Sequence, residues 1–157
     1  MKPIIGCTTY RKTADQNPPL EVIGLMPSYL EAIAAAGGIP LMIPLGLSEA
    51  DLVIILNRID GLLLPGGGDI DPRRYGGNPT VPTLYDINPV RDETEIFLTR
   101  QAVQSEKPLL AICRGVRFLM SRWEARYGKI LPPSCQTQCG MIIIGSFPAT
   151  TPLMTFT

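Results

Sequence analysis

The chain has 157 residues, which fits one ordinary domain and leaves little room for two. Its 14 Lys and Arg residues balance its 14 Asp and Glu residues, whereas a nucleic-acid-binding protein would carry a basic surplus. It is 45% apolar, enough to bury a core, and its lack of histidine excludes any Ser-His pair, Cys-His pair or histidine-bound metal formed by these residues alone.

Apolar strands alternate with helices along the first half of the chain. Pro27 suits the first turn of a helix, where its missing N–H costs nothing, and Ser48 is a good N-cap for the next helix. Pro40 and Pro44 in the second strand indicate an edge position or strand ends. In chain order, we predict a strand at residues 3–8, a loop at 11–19, a helix from Pro27 to Gly37-Gly38, a strand at 39–45, a helix at 49–58 and a strand at 60–64.

The same alternation resumes after a long loop. Asp92, Glu93 and Glu95 load the first turns of the next helix with negative charge, which complements the helix dipole. In chain order, we predict a surface loop at 69–89, a helix at 90–105, a strand at 108–112 and a helical start at 116–120. This order predicts an α/β fold, a three-layer open parallel sheet whose ligands gather beyond the carboxyl ends of its strands.

Cys113 closes the strand at 108–112 and opens a helix, between the small residues Ala111 and Gly115. This arrangement is typical of a nucleophile elbow, a tight strand-to-helix turn that crowds its flanking positions. The helix dipole and the free amides at that end also stabilise a thiolate. Cys113 is therefore a candidate nucleophile, and the alternative is a buried structural cysteine.

A glycine-rich turn, Pro65-Gly66-Gly67-Gly68, follows the strand at 60–64. Glycines there leave backbone N–H groups free to approach a ligand closely. One of these amides and the amide of Arg114 are candidates for an oxyanion hole beside Cys113, and the alternative is a flexible turn. The run lacks the spacing of a phosphate-binding loop or a dinucleotide fingerprint.

Arginines in and after the long loop are candidates for binding a substrate carboxylate, because guanidinium pairs with it bidentately. The candidates are Arg73, Arg74 and Arg91. The alternative is that they are solvated or pair with the carboxylates of the same region, namely Asp71, Asp92 and Glu95.

The four cysteines, Cys7, Cys113, Cys135 and Cys139, are irregularly spaced. The N-terminus resembles no secretion signal, and no stretch reaches the ~18 apolar residues of a membrane span. We expect a cytoplasmic protein with reduced thiols and no membrane or nucleic-acid partner. Since no second cysteine pair and no histidine accompany Cys135 and Cys139, no metal site is expected there.

Taken together and in order, several motifs resemble the class I glutamine amidotransferase-like hydrolases of the γ-glutamyl-γ-aminobutyrate hydrolase type, also classed as peptidase family C26. The resemblance covers residues 1 to about 120, and the ordered set is far more specific than any one motif. The motifs are DGLLLPGGGD at 60–69, Asp71-Pro72 with Tyr75-Gly76, RDETE at 91–95 and PLLAICRG at 108–115.

The resemblance implies a flavodoxin-like sheet and a Cys-His-Glu triad that hydrolyses a small γ-glutamyl amide through a thioester, without a cofactor. Matched by position, Cys113 is the nucleophile, and the amides of Gly67 and Arg114 are the oxyanion donors. The triad His and Glu, which come late in the family as a His-x-Glu pair, are absent here. The oligomeric state is left open, with a homodimer as one alternative.

After Leu119 the resemblance stops, and codon arithmetic offers a reason. If residues 120–125 are encoded by ATG-TCG-CGT-TGG-GAG-GC, restoring one lost A before these codons gives Asn-Val-Ala-Leu-Gly-Gly, the continuation that the family implies. We therefore divide the chain into residues 1–119, the N-terminal part of the domain, and residues 120–157, an out-of-frame tail. The fold is then incomplete at its C-terminus and the chain inactive; the alternatives are a non-catalytic fragment and an ammonia-donating amidotransferase subunit.

Overall fold

The computed structural model describes residues 1–75, 77–114 and 141–144. Its strands form one sheet of five strands and a separate sheet of two. A 3₁₀ turn at Pro72–Tyr75 interrupts the long loop. The other elements are β1 (Ile4–Thr8), β2 (Tyr10–Ala14), β3 (Leu20–Gly24), α1 (Pro27–Ala35), β4 (Ile39–Ile43), α2 (Glu49–Arg58), β5 (Gly61–Leu64), α3 (Pro89–Gln104), β6 (Leu109–Ile112) and β7 (Met141–Ile144).

The larger sheet has the strand order β4-β1-β5-β6-β7. β1 pairs in parallel with both β4 and β5, and β6 pairs in parallel with β5. The predicted parallel sheet is confirmed for these four strands, and β4, which contains Pro40, lies at an edge as its prolines indicate. β7 pairs with β6 in the antiparallel sense, so the sheet is mixed on that side.

Helices pack on both faces of the sheet. On β5, Leu62 and Leu64 join a core cluster with residues of α2 and α3, whereas Leu63 joins a second cluster with Ile33 of α1. Because alternate side chains of a strand point to opposite faces, these two clusters lie on opposite sides of the sheet. The predicted three-layer arrangement is thereby confirmed.

The helix ends follow their capping residues. α2 has the predicted bounds, and the Ser48 hydroxyl accepts a hydrogen bond from the Asp51 N–H at 3.2 Å. α3 begins one residue earlier than predicted, at Pro89, where the Asn88 side chain accepts a hydrogen bond from the Arg91 N–H at 3.0 Å. A polar N-cap therefore fixes the start of each of these two helices.

The prediction of a loop at residues 11–19 is wrong in its first part. β2 and β3 form an antiparallel hairpin, in which Arg11 pairs with Ile23 and Lys12 with Val22. Most of the residues of both strands are exposed. The polar run Arg11-Lys12-Thr13 of β2 lacks the apolar alternation that marks a half-buried strand in a sequence, and Pro18 and Pro19 favoured a loop.

Some predictions fall outside the described residues. They are the helical start at 116–120, the pair Cys135 and Cys139, and the tail at 120–157 apart from β7. Among the helices within the described ranges, none is both long and apolar enough to cross a bilayer.

Candidate active site

The glycine turn and Cys113 lie side by side at the carboxyl edge of the sheet. β5 runs into Pro65 and β6 runs into Cys113, and the two strands are parallel neighbours, so their carboxyl ends meet. A Cβ built on Gly66 would lie 3.6 Å from the Cβ of Cys113. The sheet thus brings together two segments that are far apart in the sequence, at the edge where ligands of such folds bind.

Cys113 is exposed and has a left-handed backbone, with a φ of 51°. A residue with a Cβ rarely adopts this conformation, and it is costly unless the surrounding structure requires it. The tight turn between β6 and Arg114 presents the thiol to the outside, as the elbow interpretation expects. The alternative of a buried Cys113 is thus wrong.

Cys7 shows the contrasting environment. Its side chain is fully buried in the core cluster on the α1 face of the sheet. Burial raises the pKa of the Cys7 thiol to about 11, because the thiolate would lose its hydration. Cys7 is therefore an inert core residue, and Cys113 is the reactive candidate of the two.

Glycine is required at two positions of the turn that follows β5. Gly67 has a φ of 134°, and a Cβ there would lie 2.7 Å from a guanidinium nitrogen of Arg91. A Cβ on Gly68 would overlap the carbonyl oxygen of Asp86. The turn is therefore packed closely from inside by α3 and by the loop before it, which argues against the alternative of a flexible turn.

Gly67 is the exposed glycine of this turn, whereas Gly68 is buried. The Gly66 N–H donates to the hydroxyl of Tyr29 at 3.0 Å, so it is already used. Within the part of the chain that the structure describes, no hydrogen bond uses the Gly67 N–H. A donor of this kind beside the candidate nucleophile has the position expected of an oxyanion-hole amide.

Arg73 and Arg74 lie on the 3₁₀ turn and both form ion pairs. The Arg73 guanidinium contacts Asp71 at 2.8 Å, although its side chain is 75% exposed. Hydrogen bonds from Arg73 hold the pKa of the Asp71 carboxyl below its usual value. Arg74 pairs with Glu93 at 2.7 Å.

Arg91 is buried and contacts the glycine turn from inside. Its Nε donates to Glu95 Oε1 at 2.8 Å, and its Nη2 donates to the carbonyl oxygens of Pro65 at 2.8 Å and Gly66 at 3.1 Å. The structure therefore brings Arg91 to the candidate site, but with its donors directed at the protein backbone.

The side chain of Arg114 is buried as well. Its Nη1 donates to the carbonyl oxygen of Gly68 at 3.2 Å, its Nη2 donates to Asp92, and its Nε lies 3.4 Å from Glu95 Oε2. The sequence predicted a role for the amide of Arg114 but none for its side chain. The i,i+4 spacing of Arg91 and Glu95 indicates an ion pair, yet such pairs are usually exposed, so the burial was missed.

Comparisons with known proteins agree with the motifs. A model of the Peptidase C26 family matches residues 3–123. The γ-glutamyl-γ-aminobutyrate hydrolase of Escherichia coli O157:H7 is 38% identical over 98 residues, which are 61% of this chain and 37% of the relative. Protein NtpR of Enterococcus hirae is 32% identical over 121 residues, 76% of this chain and 50% of the relative. The chain therefore spans half or less of the length of these curated relatives.

Proposed function

Because this chain belongs to the Peptidase C26 family, we propose that it carries the nucleophile and oxyanion hole of a γ-glutamyl hydrolase of the glutamine amidotransferase type. The observation that carries the proposal is the exposed, left-handed Cys113 beside a glycine turn whose Gly67 amide is unused within the described residues. The substrate class follows from the name of the relative in Escherichia coli, a γ-glutamyl-γ-aminobutyrate hydrolase.

In the proposed reaction, the Cys113 thiolate attacks the γ-carbonyl carbon of a glutamyl group, and a C–S bond forms. The carbonyl π electrons move to the oxygen, which accepts hydrogen bonds from the N–H groups of Gly67 and Arg114. Collapse of this tetrahedral intermediate breaks the bond to the leaving group and gives a thioester at Cys113. Hydrolysis of that thioester requires a base to activate water, and because these residues contain no histidine for that step, we expect the thioester to persist long enough to be detected.

An amine leaving group needs a proton, and these residues contain no histidine to supply it. A thiolate leaving group needs none. We therefore propose that this chain accepts a γ-glutamyl group from an activated thioester at Cys113 but does not turn over γ-glutamyl amides. Arg73 and Arg74 remain the proposed contacts for a substrate carboxylate, since both side chains are at least partly exposed.

A γ-glutamyl thioester of an aromatic thiol tests the proposal. After incubation and trypsin digestion, we expect one γ-glutamyl group on the peptide of residues 101–114, in which Cys113 is the sole cysteine. The Cys113→Ala variant is expected to gain none. Acylation spread evenly over the other cysteines, or an unmodified 101–114 peptide, would contradict the proposal.

The division of the chain after residue 119 is a separate proposal, which rests on the codon arithmetic. Sequencing the gene across codons 119–121 tests it. We expect that one added base restores the family-like frame; a gene that reads intact through this point with no missing base nearby would refute the proposal.

A further inference from the structure

Four charged side chains form a buried cluster behind the glycine turn. Arg91 is 2% exposed, Asp92 1%, Glu95 5% and Arg114 3%. Arg91 pairs with Glu95, and Arg114 pairs with Asp92 and Glu95, so two cations and two anions balance one another. We call these four residues the ion cluster.

Stability alone is a poor explanation for the ion cluster. Burial removes charged groups from water, and well-packed apolar residues in place of a buried ion pair often leave stability unchanged or improve it. What such pairs provide is a fixed geometry, because guanidinium groups direct several donors along set directions. The role of the ion cluster therefore depends on which atoms it holds in place.

The ion cluster holds most of the carbonyl groups of the glycine turn. Arg91 donates to the carbonyl oxygens of Pro65 and Gly66, and Arg114 donates to that of Gly68. The remaining carbonyl oxygen, on Gly67, accepts a hydrogen bond from Tyr85 at 3.2 Å. Every peptide of the turn is thus held in a defined orientation.

The hydrogen bond from Arg91 to the carbonyl oxygen of Gly66 sets the direction of the Gly67 N–H, the proposed oxyanion donor. The C=O of Gly66 and the N–H of Gly67 belong to one planar trans peptide, so they point in opposite directions. Because Arg91 draws that C=O toward the protein interior, the Gly67 N–H faces away from Arg91. The second donor belongs to Arg114, whose side chain is bound in the same cluster.

On the premise of the proposed function, we propose that the ion cluster positions the oxyanion hole, with Arg91 as the positioning residue that orients the Gly67 amide. The cluster also couples the two halves of the site. Arg91 and Glu95 lie on α3, the glycine turn follows β5, and Arg114 follows β6. One set of charges therefore fixes the donors from both loops relative to the sulfur.

A ratio of two rate constants at Cys113 tests this role. Acylation by the γ-glutamyl thioester passes through an oxyanion, whereas alkylation by iodoacetamide displaces iodide without one. Loss of oxyanion stabilisation lowers the first rate constant and leaves the second unchanged. The readout is the rate constant for acylation divided by the rate constant for alkylation, relative to the same ratio for N-acetylcysteine. A general loss of thiol reactivity lowers both rate constants and leaves this ratio unchanged.

The variants are chosen to keep the fold. Arg91→Met alone leaves two buried carboxylates, on Asp92 and Glu95, with Arg114 as the one cation of the cluster. The charge-balanced double variant Arg91→Met/Glu95→Met is therefore measured beside it, because removing a whole pair is tolerated better than removing half. The matched control is Arg100→Met, the same change at an exposed position of α3. Melting curves by circular dichroism accompany each variant.

We expect the ratio to fall at least ~10-fold in the double variant and to stay at the wild-type value in Arg100→Met, since loss of one oxyanion donor is costly. A folded double variant with the wild-type ratio would overturn the positioning role, and so would a double variant without a cooperative melt. A wild-type ratio equal to that of N-acetylcysteine would instead reject the proposed function itself.

Discussion

Cys113 combines two properties that a structural cysteine does not need, exposure and a left-handed backbone. Cys113 keeps this unfavourable backbone conformation because β6 ends at Ile112 and the chain must turn sharply toward Arg114. Strained residues of this kind cluster at functional sites. This backbone strain predicts a difference in the free energy of unfolding, which can be measured without any enzymatic activity.

Replacing Cys113 by glycine should relieve this strain, while replacing it by alanine should not. Both variants lose the thiol, so alanine is the matched control. We expect Cys113→Gly to have a free energy of unfolding about 1 kcal/mol higher than Cys113→Ala, because the left-handed conformation costs glycine little. Urea denaturation measures the difference, and equal stabilities would show that the turn is unstrained.

The two described cysteines should differ in alkylation. With the pKa of Cys7 near 11, about one Cys7 thiol in a thousand is a thiolate at pH 8, and the side chain is buried. We expect iodoacetamide to modify the 101–114 peptide of the native chain and to spare residues 1–11. Both peptides should be modified in guanidinium chloride, and equal modification of the native chain would contradict the structure.

Local patterns in the sequence indicate the candidate residues of the site, whereas they do not indicate the charged side chains that contact those residues. Cys113 and the glycine turn stand out because small residues follow apolar strands, a local pattern. Arg91 was a candidate for substrate binding, since its burial depends on where α3 packs, which no local pattern shows. Asp92 and Glu95 were interpreted as dipole-compensating charges, and their contacts to Arg114 are contacts between distant parts of the chain.

At the scale of elements, the ion pair of Asp71 and Arg73 helps to hold the 3₁₀ turn. Asp71 accepts hydrogen bonds from both the backbone N–H and the Nε of Arg73, each at 3.0 Å. These bonds lower the pKa of Asp71 in the folded chain, so the folded state binds fewer protons there than the unfolded state does. The contribution to stability is present above the ordinary carboxyl pKa and is lost as pH falls.

This pair predicts a pH-dependent effect of Arg73→Met. We expect the variant to be less stable than the wild-type chain at pH 7, and the difference to shrink as pH falls below the ordinary aspartate pKa of about 3.9 and to vanish once Asp71 is protonated in the folded state as well. Urea denaturation at several pH values measures it. A difference that is the same at pH 3 and pH 7 would show that Arg73 acts through packing and not through the Asp71 carboxylate.

Elements with strong local signals were predicted well. α2 was predicted with its observed bounds because Ser48 caps it and Ile59 leads into the next strand. The hairpin of β2 and β3 was missed, since Arg11 and Lys12 give a strand without apolar alternation. Its pairing depends on backbone hydrogen bonds between exposed strands, and composition does not report those.

At the scale of the whole molecule, the order of the strands in the sheet brings the two segments of the candidate site together. β5 and β6 are separated in sequence by the long loop and α3, yet they are adjacent in the sheet. Their parallel pairing places the glycine turn beside Cys113, and α3 supplies the ion cluster behind both. The described part of the chain thus brings the proposed nucleophile and its proposed oxyanion donors together at one edge of the sheet.

The absence of histidine from these residues limits what the arrangement can do. We expect hydrolysis of a γ-glutamyl amide by the purified chain to equal that by its Cys113→Ala variant, because loss of one member of a nucleophile–base unit removes nearly the whole effect. Release of the amine over time measures it. Turnover that the Cys113→Ala change abolishes would contradict this expectation and would require another general acid.

The central claim is that Cys113 and the amides of Gly67 and Arg114 form one acyl-binding site. A crystal structure of the chain acylated at Cys113 by the γ-glutamyl thioester tests it most directly. We expect the thioester carbonyl oxygen to lie about 2.7–3.1 Å from the backbone nitrogens of both Gly67 and Arg114. An acyl oxygen that contacts neither amide, with the γ-glutamyl group turned into solvent, would contradict the claim.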